Sequence, residues 1–138
     1  MIKIDENGNQ ITLTQSELDE YNARTTDYES YAITNHIKLY RRIKEIGGIT
    51  VGGVTVQTDT ETRASLLGAV QLNASIDWKT DTGFVTLTAQ QISDIATAVG
   101  QHVQKCFSSE KAVTETHAQT PYTSITAVET AFDNAYNS

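Results

Sequence analysis

Ile49-Thr50-Val51-Gly52-Gly53-Val54-Thr55-Val56 is a pair of β-branched triplets on either side of two glycines. Glycine tolerates the positive φ that a tight two-residue hairpin turn demands, so this stretch predicts a β-hairpin. Upstream, Gly47-Gly48 stops a helix that Thr34 or Asn35 can cap and that sets Ile37, Tyr40, Ile43 and Ile46 near one face. Downstream, Thr58 and Glu61 have capping-box spacing, and a helix over about 59–73 places Leu66, Leu67, Val70 and Ala74 inward.

The same grammar continues in both directions. Ile76-Asp77-Trp78, a turn at Asp81-Thr82-Gly83, and Phe84-Val85-Thr86-Leu87 read as another hairpin, its aromatics available for a core. Thr88 with Gln91 caps the strongest helix, whose inward stripe is Ile92, Ile95, Ala96, Val99, Val103, Cys106 and Val113, with Phe107 beside it. Pro121 fits the first turn of a last helix carrying Ile125, Val128, Phe132 and Ala135. At the other end, Ile2 and Ile4, then Asn7-Gly8, then Ile11 and Leu13 predict a further hairpin, after which Thr14 and Glu17 cap a helix. In that helix Leu18, Tyr21, Thr25, Tyr28 and Ala32 recur at spacings of three and four. A stripe with this much tyrosine suits a surface helix or a subunit contact, since the ring is apolar and the hydroxyl wet. The predicted class is α+β, with small β-hairpins alternating with helices around one long C-terminal helix. The predicted division is an arm over 1–33, offered to a partner, and a compact body over 34–138.

A chain of 138 residues fits one domain and needs neither metal nor disulfide to fold. The lone Cys106 has no intramolecular partner, in keeping with a reducing cytoplasm. The first residues lack the apolar stretch of an export signal, and no apolar run approaches the roughly 20 residues that span a bilayer. The expectation is a soluble protein with no membrane association. A net charge of −7 argues against nucleic acid as a partner. Lys38, Arg41, Arg42 and Lys44 are a local basic cluster on a helix. They read as a solvated face, as partners for the acidic N-terminal arm, or as a contact for an acidic neighbouring subunit.

Catalytic constellations are poorly represented. His36, His102 and His117 are widely spaced, and no serine stands in a Gly-x-Ser-x-Gly elbow. His102 and Cys106, four apart on a helix, share a face but supply only two metal ligands. Gly52-Gly53 has no following Gly-Lys-Ser/Thr to make a phosphate cradle. Asp59, Asp77 and Asp81 have the spacing of turns and caps, not of a calcium loop. Trp78 reads as core, with a carbohydrate-stacking groove as the alternative. No coiled-coil run appears. The chain is expected to have no enzymatic activity, cofactor or metal.

The order Arg41-Arg42, Gly52-Gly53, Gln57-Thr58-Asp59, Arg63, Trp78 and His102-Val103-Gln104 resembles an uncharacterised domain of tailed bacteriophages, found in tail-fibre and tail-fibre-assembly proteins. The likeness runs from about residue 40 to 115. It implies a structural component of the phage tail or baseplate that attaches or assembles tail fibres through protein–protein contacts. It would be made in the host cytoplasm, be oligomeric in the virion, and have other tail or tail-fibre proteins as partners. The alternative is a tail-fibre assembly chaperone absent from the mature particle. The residues expected to touch a partner are Leu18, Tyr21, Tyr28, Tyr31, Arg41 and Arg42.

Overall fold

The structure, a computed structural model, describes residues 2–4 and 6–138, without the side chains of residues 2, 3, 11 and 25–28. Hairpin β1 (Ile2–Ile4) and β2 (Gln10–Thr12) leads into helix α1 (Gln15–Glu45). Hairpin β3 (Ile49–Val51) and β4 (Val54–Val56) is followed by α2 (Thr60–Leu72). A last hairpin, β5 (Ile76–Thr80) and β6 (Gly83–Leu87), runs into α3 (Ala89–Gln119), and α4 (Ile125–Tyr136) closes the chain. The class is α+β, and each hairpin is a separate two-stranded antiparallel sheet.

Local signals account for many of these boundaries. Gly52 and Gly53 adopt φ of 57° and 81°, so β3 and β4 pair Val51 with Val54 across the turn. Thr14 with Glu17 and Thr88 with Gln91 form reciprocal capping boxes at the starts of α1 and α3. Each satisfies backbone donors that the first turn leaves without intrahelical partners.

Two cores are strung along α3. Its buried positions, Ile92, Ile95, Val99, His102, Cys106, Ser109, Val113 and His117, follow helical spacing for its whole length. The first three join Val56, Leu66, Ala69 and Leu87 in a core roofed by β3–β4, β5–β6 and α2. Cys106 and Val113 join Ile33, Ile37, Val128 and Phe132 in a second core between α1, α3 and α4. His117 lies near Ser30 while His102 lies near Lys44, so α1 and α3 are antiparallel.

The structure redraws several expected details. Residues 15–45 form one helix: Thr34 caps nothing, because its hydroxyl donates back to the Ser30 carbonyl at 2.9 Å, inside the helix. Steps of three residues fall about 60° short of a full turn. Ile37 and Tyr40 therefore face the core while Ile43 and Ile46 turn outward. The cap of α2 is Asp59, which accepts from the Thr62 N–H at 2.9 Å; Thr58 is buried and occupied elsewhere. Leu66 and Ala69 form the inner face of α2, leaving Leu67 66% exposed and Val70 and Ala74 exposed as well. Phe84 is 76% exposed, whereas Trp78 packs against the first core. Pro121 precedes α4 instead of opening it, and Ser124 supplies the cap. The predicted division at residue 33 falls inside α1, and Ile33 itself is buried in the second core.

Where the two cores meet, the inner side of the last turn of α1 is buried at Glu45. The Glu45 side chain, 3% exposed, is met by Arg41 at 3.3 Å, Arg42 at 2.6 Å and Arg63 at 3.8 Å. Carbonyls at a helix end lack intrahelical donors, and burial denies them water. Thr58 Oγ1 donates to the Glu45 carbonyl at 2.6 Å and accepts from the Gly48 N–H at 3.0 Å. His102 Nε2 lies 3.0 Å from the Lys44 carbonyl. A carbonyl only accepts, so Nε2 carries the proton and Nδ1 accepts from the Tyr136 hydroxyl at 2.6 Å. Among the described residues no buried side-chain nitrogen or oxygen lacks a partner. Replacing Glu45 by Ala removes the carboxylate that three guanidinium groups share, leaving Arg41 with Glu110 and, among the described residues, the other two without a counter-charge there. Because these still reach water, the expected loss is about 3 kcal/mol, the low end for breaking a buried ion pair. Urea denaturation checks this, and Glu45→Ala within 0.5 kcal/mol of the native chain, roughly a surface substitution, would show that the junction is not a stabilising one.

Candidate interaction interface

The residues expected to touch a partner separate into two sets. Tyr21 and Tyr31 are exposed on the outer side of α1, Leu18 is half-buried near its start, and the side chain of Tyr28 lies outside the described residues. Arg41 and Arg42 are held by carboxylates at the internal junction, Arg42 with its outer side exposed. Arg41 bridges Glu45 and Glu110, the latter at 2.9 Å, and lies over the Phe107 ring. Arg42 is held to Glu45 and keeps one side in water. Lys44 pairs with Asp133 at 3.0 Å, which raises its pKa, and the same carboxylate accepts from the Tyr40 hydroxyl at 2.9 Å. Those three cations thus find their counter-charges in the body and not in the N-terminal arm.

Every histidine is a tether between elements. His36 binds Glu129 at 3.0 Å, tying α1 to α4. His102 links α3 to the end of α1 and to Tyr136 of α4. His117 accepts from the Tyr122 N–H at 3.0 Å through Nδ1 and turns Nε2 to the Ser30 hydroxyl at 3.3 Å. The aspartates are similarly engaged. Asp59 caps α2, and hydrogen bonds from Thr62 hold its pKa below the usual carboxylate value. Asp77 accepts from Thr86 across the β5–β6 ladder, and Asp81 accepts from Gln57 at 3.0 Å. Among the described residues no three His, Cys, Asp or Glu side chains are grouped to hold a metal ion, and no helix is long and apolar enough to cross a membrane.

Two depressions mark the first core's surface. An open polar cleft of about 390 Å³ lies between the two hairpins, with Trp78, Lys79 and Asp81 on one wall and Thr55 and Gln57 on the other. Between α2 and α3, Leu66, Leu67, Val103 and Phe107 line an apolar groove of about 320 Å³. Sequence reasoning missed this groove because it assigned Leu67 to the core. The signal was available: Leu67 lies about 100° around the helix from Leu66, too far for both to share one narrow inner stripe.

Cys106 is fully buried, and burial, reinforced by the charge of Glu45, pushes its thiol pKa from 9.0 up to about 11. The thiolate is the nucleophile, so the native thiol is inert. Burial also raises the phenols of Tyr40 and Tyr136. An acid whose folded pKa is raised favours folding only while neutral, so this stability is present below pH 9 and is lost as pH rises toward 11. The Lys44 ammonium, favoured by Asp133, loses its contribution in the same direction above its ordinary 10.5. The denaturation midpoint should therefore fall between pH 9 and 11, less steeply in Cys106→Ala. A thiol reagent at pH 8 should label Cys106 only at the rate of unfolding; rapid stoichiometric labelling of the native chain would contradict the burial.

No curated protein and no solved structure gives a significant match to the chain. A family model does match, over residues 29–134. That span takes in the buried residues of both cores, Glu45 and all three histidines, and leaves out the first hairpin, the start of α1 and Tyr136. By this match, the chain belongs to the family described as a domain of unknown function, DUF4376.

Proposed function

We propose that the protein is a structural component of a bacteriophage tail or baseplate, attaching or assembling tail fibres through protein–protein contacts. The observation that carries this reading is the division of labour on α1. Its inner face is buried in the second core, while Tyr21 and Tyr31 stand exposed on the part leading away from the body. Tyrosine offers large contact area with little rotamer entropy to lose, which suits a protein interface.

The residues that most resemble chemical equipment support binding over catalysis. The histidines, the buried thiol and the aspartates are spent on tethers, packing and caps. A catalytic acid or base must be free to exchange a proton with a substrate, and these are held by neighbours within the fold. The phage assignment itself rests on the ordered motifs Arg41-Arg42, Gly52-Gly53, Gln57-Thr58-Asp59, Arg63, Trp78 and His102-Val103-Gln104.

Mass spectrometry of purified virions tests the proposal. A copy number matching a small symmetric ring or fibre is expected. Abundance in infected cells with absence from particles would overturn the structural role in favour of an assembly chaperone. Removal of residues 1–28 should leave a folded body, since both cores lie beyond that point, while abolishing incorporation into particles. Loss of folding on this truncation would show that the arm stabilises the body.

A further inference from the structure

The outer face of α1 carries a repeat that emerges only because the helix is continuous. Taking Leu18 as the first position of a heptad, Thr25, Ala32, Leu39 and Ile46 occupy the same position in later heptads. Tyr21, Tyr28, Asn35 and Arg42 occupy the fourth. The spacing alternates three and four without interruption from 18 to 46, the pattern of a coiled-coil seam. At 31 residues and 1.5 Å each, α1 is about 46 Å long.

This seam is not the face that the body uses. Ile33, Ile37 and Tyr40 point into the second core, roughly half a turn away, while Leu39 (55% exposed) and Ile46 lie outside it. The body therefore sits behind the seam and does not obstruct a second helix. The first half of α1 also extends past the end of α3, where His117 meets Ser30. A helix of such length gains little in water without burial of one face.

We infer that this face binds a second copy of the same chain, with the two α1 helices parallel. The proposal rests on reading outer α1 as a partner surface but not on any phage assignment. The flanking charges select both the occupant and the direction. In a parallel pair each residue before the seam faces the partner's residue five places on. Arg24 then meets the partner copy's Glu29, twice by symmetry, and no like charges are opposed. In a fully overlapping antiparallel pair Arg24 meets Lys38 of the second copy, and Glu29 meets its own equivalent. Like charges so placed oppose that arrangement. Arg24 and Glu29 are both exposed, and among the described residues Arg24 makes a solvent-open pair with Glu20 of its own chain at 3.3 Å.

Light scattering and sedimentation equilibrium on the full purified chain test this. A mass of two 15.1 kDa copies is expected. Leu39→Glu should give a monomer with unchanged circular dichroism, because Leu39 lies outside both cores. Arg24→Glu should raise the dissociation constant about fivefold, since a weak attraction becomes a repulsion, and Arg24→Glu with Glu29→Arg should restore it. A monomer at all concentrations, or an association untouched by Leu39→Glu, overturns the proposal and leaves a role with a different tail protein intact. Tighter association of Arg24→Glu overturns the parallel arrangement.

Discussion

A helix that ends inside a protein must find donors for its last carbonyls, and α1 ends between two cores. That requirement organises this fold. The Glu45 carbonyl is served by Thr58 and the Lys44 carbonyl by His102. Serving them fixes the chain just before α2 and the middle of α3 at hydrogen-bond distance from α1. His102 in turn needs a donor for Nδ1, which Tyr136 of α4 supplies. The Glu45 carboxylate draws in Arg63 from α2 together with Arg41 and Arg42 from its own helix. All four helices thus contribute to one polar junction, and the hydrophobic cores on either side are held in fixed relation by it. Apolar packing is non-directional, so on its own it would set that relation less sharply than hydrogen bonds of defined length.

The same accounting explains what became of the residues that look chemical. A buried imidazole is most useful structurally because its two nitrogens are a donor and an acceptor at fixed angles. His102 and His117 each use both to join segments distant in sequence. Several residues of the ordered motifs on which the proposed phage assignment rests belong to this network: Arg41, Arg42, Thr58, Arg63 and His102 meet at the junction. Their spacing in the sequence therefore follows from architecture.

Much of the fold was legible because its signals are local. The Gly52-Gly53 turn and the Thr14 and Thr88 boxes involve residues within five positions of one another, so sequence contains all that the geometry needs. The errors arise where a residue suited to a local role is recruited by a distant one. Thr58 has the spacing of a cap, yet its hydroxyl bonds Glu45 thirteen positions away, and Asp59 caps in its place. Thr34 has the chemistry of a helix start, but Ile33 and Ile37 on either side are buried together, and that packing holds the helix through it. Arg41 and Arg42 belong to a helix surface by charge, and only the fold reveals the carboxylates between which they lie. Leu67 and Phe84 are apolar but lie on faces that the described residues leave exposed.

Continuity of α1 also changes the meaning of its polar stripe. Broken at Thr34, the tyrosine-rich segment is a short and weakly apolar helix, and the recurrence of Leu39 and Ile46 belongs to something else. Unbroken, the two halves share one axis and one outer face. The junction at Glu45 then sets the direction of that outer face as well as contributing to stability. With Arg41 drawn toward Glu110, Lys44 toward Asp133 and the terminal carbonyls toward Thr58 and His102, α1 cannot rotate about its axis without breaking several bonds together. The direction in which Leu39 and Ile46 face is therefore set by polar contacts on the opposite side of the helix. A surface presented on so constrained an element loses little further freedom when a partner covers it. In the proposed pairing of two α1 helices, the charges at the junction would contribute by holding that face in place.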